Sequence, residues 1–193
     1  GHRFWLYTHV PFCPQICRFC QCSTSLRKSH EQVARYLEWL EGELDWMADH
    51  NFIGVYGPGY LKHPDMPPLY DTYWDPFWAA CADEGTMVCF HIGSSSEIPI
   101  TSVESPVDVT LTLMPVNIVQ VAADIIWSDF LRRYPCLKVC LSEGGIGWVP
   151  YFLERVDRTY HQQHRWTGQD FGGRLPSDVF REHIVTCFVQ DRI

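Results

Sequence analysis

The sequence predicts an α/β fold: an incomplete (β/α) TIM-like barrel of about five to six strand–helix units. Three observations lead there. Short apolar runs alternate with segments of helical periodicity along the whole chain. Several of the runs give way to a loop of glycine, proline or cysteine before the next helix, as strand ends in a parallel sheet do. The 193 residues fall short of the ~250 that a full eight-unit barrel usually takes.

The first strand is Phe4 to Val10, rich in aromatic and β-branched residues. Pro11 to Ser25 follows as a loop, broken by Pro11 and Pro14 and dense in cysteine. From about Ser29 to Ala48, Val33, Tyr36, Leu37, Leu40, Leu44 and Met47 fall at helical spacing behind a Ser29 cap. Phe52 to Tyr56 reads as a strand closed by the Gly57-Pro58-Gly59 turn. After a proline-rich loop, Asp75 to Asp83 reads as a helix, with Asp75 as cap and Pro76 in its first turn. Thr86 to Ile92 is a strand that ends in His91-Ile92-Gly93. Asn117 to Tyr134 reads as one long helix, Leu137 to Ser142 as a strand and Gly147 to His161 as a helix. Pro176 to His183 is a short helix, and Ile184 to Val189 a final strand.

Composition narrows the function classes. Hydrophobic residues make up 46% of the chain, which is the content of a globular protein. A net charge of -8 gives no general attraction for nucleic acid or anionic membrane. No apolar run is expected to approach the ~18 residues of a membrane span. Nine cysteines, four of them crowded between positions 13 and 22, do not read as a secreted disulfide framework, so a reducing cytoplasm is the expected setting. The chain begins within a few residues of a strand and stops in mid-pattern, and is expected to be a fragment of something larger. An open barrel leaves strand edges exposed, so a homo-oligomer is also expected.

Cys13, Cys17, Cys20 and Cys22 form C-x3-C-x2-C-x-C on one loop after a strand. Three thiolates there can hold three irons of a 4Fe-4S cluster and leave the fourth iron open. With Cys22 as a fourth ligand, a zinc site stays open as well. The stretch Leu6-Tyr-Thr-His-Val-Pro-Phe-Cys13, with the cysteines that follow, resembles the radical S-adenosylmethionine enzymes, in particular the oxygen-independent coproporphyrinogen oxidase group. The resemblance runs to about Leu44. It implies that Cys13, Cys17 and Cys20 ligate the cluster, that the open iron binds S-adenosylmethionine, and that Cys22 is no ligand. The spacing of the three cysteines on one short loop also predicts that their thiols converge. Gly57-Pro58-Gly59 departs from that family's glycine-rich segment for the amino end of S-adenosylmethionine.

From about Glu43 onward the strings change. Tyr70-Asp-Thr-Tyr-Trp-Asp-Pro-Phe-Trp-Ala-Ala-Cys-Ala-Asp-Glu-Gly, Val88-Cys-Phe-His91-Ile-Gly and Arg133-Tyr-Pro-Cys-Leu-Lys-Val-Cys-Leu-Ser-Glu143-Gly-Gly resemble the amidohydrolase-related family that includes aminocarboxymuconate semialdehyde decarboxylase. The strings occur in family order over about 150 residues. The resemblance implies a small-molecule substrate and a divalent metal, zinc or manganese, with His91 as a strand-end ligand. Glu143 stands where the family often has a catalytic histidine, and is read as ligand or general base. The family's first-strand pair of histidines is reduced to His9, the remaining metal candidate, and its last-strand aspartate falls beyond Ile193. The two resemblances divide the chain into 1–42 and 43–193, expected to form one structural unit, and the helix carrying Gly42 holds the junction. Three functions follow: a metal-dependent hydrolase or non-oxidative decarboxylase, a radical enzyme, or an inactive chimera of two half-sites.

Other residues read as structural. His161 and His164, at i, i+3 spacing, belong to a solvated helix end. Trp74, Trp78, Trp148 and Trp166 read as core and pocket wall. Cys81, Cys89, Cys136, Cys140 and Cys187 read as small buried hydrophobes.

Overall fold

The computed structural model describes residues 4–6, 12–13, 25–26, 52–56, 67–92, 99–189 and 191, together with Glu31, Arg35, Glu38, Trp39 and Gly42. The strands are β1 (Phe4–Leu6), β2 (Phe12–Cys13), β3 (Ser25–Leu26), β4 (Phe52–Tyr56), β5 (Met87–His91), β6 (Val139–Ser142) and β7 (Ile184–Thr186). The helices are α1 (Asp75–Asp83), α2 (Val107–Leu113), α3 (Val116–Trp127), α4 (Phe130–Arg133), α5 (Val149–Thr167) and α6 (Pro176–His183). Glu31, Arg35, Glu38, Trp39 and Gly42 are also helical and exposed, within the helix expected there.

One five-stranded sheet runs β1-β4-β5-β6-β7, and every pairing in it is parallel. Strands join it in chain order without reversing direction across the sheet. That is the winding of a barrel wall; a doubly wound sheet reverses at a switch point. The fold is therefore α/β and TIM-barrel-like. The cysteine-dense loop holds a small addition that periodicity does not reveal: β2 and β3 pair in parallel as two-residue strands.

Alternation along β5 and β6 sorts their side chains between two faces. Val88, Phe90, Val139 and Leu141 are buried against the helices. Cys89, His91, Cys140 and Ser142 occupy the opposite face, the inner side of the wall. The helix-side core takes Ile118, Val121, Ala122, Ile125 and Ile126 from α3, one face at i, i+4 spacing. Trp78 of α1 stacks on Phe130 at 4.6 Å and 7°, while its indole N–H donates to the Leu69 carbonyl at 3.3 Å. Each such aromatic or branched side chain contributes about 1.5–3 kcal/mol relative to exposure.

Several expectations are corrected. The helix expected from Asn117 to Tyr134 is broken after Trp127. Ser128 turns to an extended ψ of 163° and its hydroxyl donates to the Ile125 carbonyl at 2.8 Å. Helix α2 was not anticipated, because it buries no residue fully and so has no core-facing stripe to betray it. Val107–Trp127 is, by length and mean hydropathy of 1.7, apolar enough to cross a membrane, contrary to the expectation. In this fold α2 and α3 divide it at Met114-Pro115, and the α3 part fills the core. Asp75 is the first residue of α1 rather than its cap; its carboxylate pairs with Arg133. Asp71 accepts from the Tyr73 N–H at 2.8 Å one turn earlier. Trp166 is 76% exposed, not core, and Cys136 is exposed as well. Helix α5 runs past His161 to Thr167 and ends at Gly168, whose φ of 71° suits glycine.

Candidate active site

The carboxyl ends of β5 and β6 place the candidate chemistry. His91 ends β5 directly opposite Ser142, so Glu143, one residue past β6, reaches across to it. His91 Nε2 and Glu143 Oε2 lie 3.1 Å apart. His91 Nδ1 lies 2.8 Å from the Ile92 carbonyl. A carbonyl only accepts, so Nδ1 carries the proton of this hydrogen bond. Nε2 then faces a carboxylate oxygen, and either a proton or a metal cation between them satisfies both groups. Imidazole anchored through its other nitrogen to a backbone carbonyl is also the arrangement that orients metal-binding histidines.

Glu143 has a φ of 60°, and among the described residues it alone shows positive φ without being glycine. Its side chain is 60% exposed. Its backbone N–H donates to Cys187 Sγ at 2.9 Å, and the Cys187 N–H donates to the Leu141 carbonyl at 3.3 Å. The two bonds tie the end of β6 to the segment after β7. Gly144 follows because nothing larger fits: a Cβ there would lie 2.1 Å from Ile118 Cγ2. Gly145 takes a φ of 67°. The Trp148 indole N–H bridges the carbonyls of Gly144 and Gly145 at 3.1 and 2.9 Å.

Asp191 completes this loop and was not singled out in the sequence. Its Oδ1 accepts from the Ile146 and Gly147 N–H groups at 3.1 and 3.0 Å. Its Oδ2 accepts from the Val189 N–H at 3.2 Å. The hydrogen bond from Gly147, then that from Ile146, holds the carboxyl below the usual aspartate range. The partners are backbone amides some 45 residues away, which no local spacing reveals.

Beneath His91 on the inner face, Cys89 pairs in register with Cys140. A hydrogen bond with Cys89, and another with Ser142, hold the Cys140 thiol below the usual cysteine range, while the same Cys140 contact and burial push Cys89 up. His161 is exposed; His164 Nδ1 donates to the Tyr160 carbonyl at 2.8 Å, as an i−4 contact along α5.

The structure thus brings His91 and Glu143 together. His9, Cys17 and Cys20 lie outside the described residues, and Cys13 is described only as part of β2, so the convergence expected of the three thiols lies outside them too. Gly57, Pro58 and Gly59 lie outside them as well. Among the described residues no group of three or more His, Cys, Asp or Glu side chains is placed to hold a metal ion. His91 and Glu143 fit a divalent ion as two of its ligands, and a catalytic site needs about three.

Comparison with known proteins finds relatives of two kinds. The amidohydrolase family model matches residues 37–193. Among solved structures, an amidohydrolase from Mycobacterium avium subsp. paratuberculosis superposes with a TM-score of 0.60 at 22% identity, over 77% of this chain and 38% of that one. The 5-carboxyvanillate decarboxylase of Sphingomonas paucimobilis gives 0.50 at 18% identity, over 84% and 58%. The corresponding enzyme of Novosphingobium aromaticivorans, solved with manganese, gives 0.50 at 17% identity, over 77% and 43%. A short stretch of the chain is similar to oxygen-independent coproporphyrinogen III oxidase. It is 48% identical to the Paracoccus denitrificans enzyme over 55 residues, 28% of this chain and 12% of that protein. It is 38% identical to the Pseudomonas aeruginosa enzyme over 50 residues, 26% and 11%. The chain therefore spans about an eighth or less of these curated relatives and less than two thirds of the solved chains.

Proposed function

The chain belongs to the amidohydrolase family, and from that premise we propose that it carries part of the catalytic wall of a metal-dependent hydrolase or non-oxidative decarboxylase acting on a small molecule. The observation that carries this reading is the 3.1 Å approach of His91 Nε2 to Glu143 Oε2 at the carboxyl rim of the sheet. That rim is where barrel enzymes place their chemistry. His91 offers a nitrogen ligand held in orientation by the Ile92 carbonyl, and Glu143 a second ligand or a general base. A divalent ion, zinc or manganese, would supply Lewis acidity when bound there. Manganese in the Novosphingobium decarboxylase supports that choice of ion. His9, at the end of the expected first strand, is the proposed third ligand.

The chain is further proposed to be a sector of about five to six units of such a barrel. In it, 43–193 supplies the amidohydrolase-like part, and 1–42 supplies the first strand, cluster loop and helix, all within one structural unit. The similarity to coproporphyrinogen oxidase favours a second reading. Cys13, Cys17 and Cys20 would hold a 4Fe-4S cluster and S-adenosylmethionine, either as a radical enzyme or as an inactive half-site joined to the other.

Metal analysis of anaerobically purified chain separates the readings. One divalent zinc or manganese per chain, lost in His91→Ala, is the expected result. Metal content unchanged by His91→Ala refutes the ligand role. Iron and sulfide near four per chain, lost on substitution of Cys17, would establish the second reading.

A further inference from the structure

We propose that Cys89 and Cys140 form a reversible oxidation site, a cross-strand dithiol that a peroxide closes to a disulfide. The pair stands directly opposite in the β5–β6 ladder. Adjacent strands lie about 4.8 Å apart, inside the roughly 4.4–6.8 Å between Cα atoms that a disulfide spans. Both side chains project to the same, inner face, since directly paired residues of adjacent parallel strands share a face. Cys140 Sγ also meets Ser142 Oγ at 3.6 Å. Cys89 is 2% exposed and Cys140 is half-buried, so an oxidant meets Cys140 first.

The chemistry balances with hydrogen peroxide as oxidant. The Cys140 sulfur attacks one peroxide oxygen, the O–O bond breaks, and a sulfenic acid and one water result. The Cys89 sulfur then attacks the sulfenic sulfur. The S–S bond forms, the S–O bond breaks, and the hydroxyl leaves as a second water with the Cys89 proton. Two electrons pass from the dithiol to the peroxide. A relaxed disulfide holds its Cβ atoms roughly 3.8 Å apart, and any departure that the strand ladder imposes is stored as strain in the bond. The resulting bond is easily reduced by a small dithiol, which marks a regulatory link rather than a structural staple. Cys89 lies two residues before His91 and Cys140 three before Glu143, so closure draws the strands together directly beneath that pair.

The competing partner is Cys187, whose sulfur already accepts from the Glu143 N–H. The test is peptide mapping by mass spectrometry. The whole chain is reduced, treated with about a tenfold excess of hydrogen peroxide, denatured, alkylated and digested without reductant. The expected result is a Cys89–Cys140 linked peptide pair, two hydrogens lighter and restored by dithiothreitol. In Cys89→Ala, Cys140 should accumulate as a sulfenic acid trapped by dimedone; Cys89→Ser serves the same purpose if the alanine variant does not fold. Both cysteines recovered as alkylated thiols while others oxidise would overturn the proposal. So would Cys140 linked to Cys187 instead.

Discussion

Glu143 is held in a backbone conformation that costs an L-residue about 1–2 kcal/mol. The compensation is local: its N–H bonds to Cys187 and its carboxylate to His91. Such strain, next to a reactive pair, accompanies functional rims more often than inert turns. Removing the side chain separates the two contributions. Glu143→Ala and Glu143→Gly both lose the contact with His91, but only glycine relieves the positive φ. The glycine variant should be the more stable of the two by about 1 kcal/mol in urea titrations. Equal stability would mean that the φ of Glu143 carries no strain. Asp124, on α3, differs in kind: its Oδ2 has no hydrogen-bond partner and burial raises its carboxyl above the usual aspartate range. A carboxyl raised in the folded state lends its full stability below the unfolded value and loses it as pH rises through the folded one. Asp124→Asn should therefore match the parent in acid and exceed it in stability at neutral pH. A stability difference independent of pH would refute this.

The β6–α5 connection shows what an element-scale constraint looks like. Gly144 sits against Ile118 of α3, and Gly144→Ala should destabilise the fold by about 1–3 kcal/mol, because the clash is with a packed core side chain. A thermal midpoint unchanged by that substitution would show that α3 gives way. Asp191 fastens the same connection from the far side of β7. Its carboxyl is lowered by the Gly147 and Ile146 N–H groups, so its contribution is present above the ordinary aspartate range and fades as pH falls through the lowered value. Asp191→Asn should lose stability at neutral pH and converge with the parent in acid, as followed by urea titration across pH. Elements marked by an apolar run or by proline and glycine at their ends were legible in the sequence. Phe52–Tyr56, Asp75–Asp83 and Pro176–His183 carry the expected bounds. Helix α2 was not, since Val107 and Leu111 are 67% and 59% exposed and mark no inward stripe. The break at Ser128 was hidden because the apolar pattern continues through Phe130 and Leu131 on its far side. His91 and Glu143 were legible because each stands where an apolar strand meets glycine; Asp191 and Cys187 were not, because their partners are backbone groups distant in the chain.

Across the whole molecule, five parallel strands in chain order set one functional rim, and catalysis depends on how many donors that rim gathers. Among the described residues it gathers His91 and Glu143, and no cluster of three. Two ligands hold a divalent ion loosely, and a loosely held ion orients substrate and water poorly. Small misplacements of reacting groups cost large factors in rate, on the order of a hundredfold for 1 Å. His9 can add a third ligand if the joined first strand keeps the barrel register. The combination His9, His91 and Glu143 is not the set that the amidohydrolase resemblance implies. The chain is therefore expected to show little or no hydrolase or decarboxylase turnover. The decisive assay reconstitutes it with zinc or manganese and tests a panel of carboxylated and amide substrates. Turnover that requires both the added metal and Glu143 would overturn the expectation. It would mean that the two joined segments had assembled a working site from a ligand set of their own.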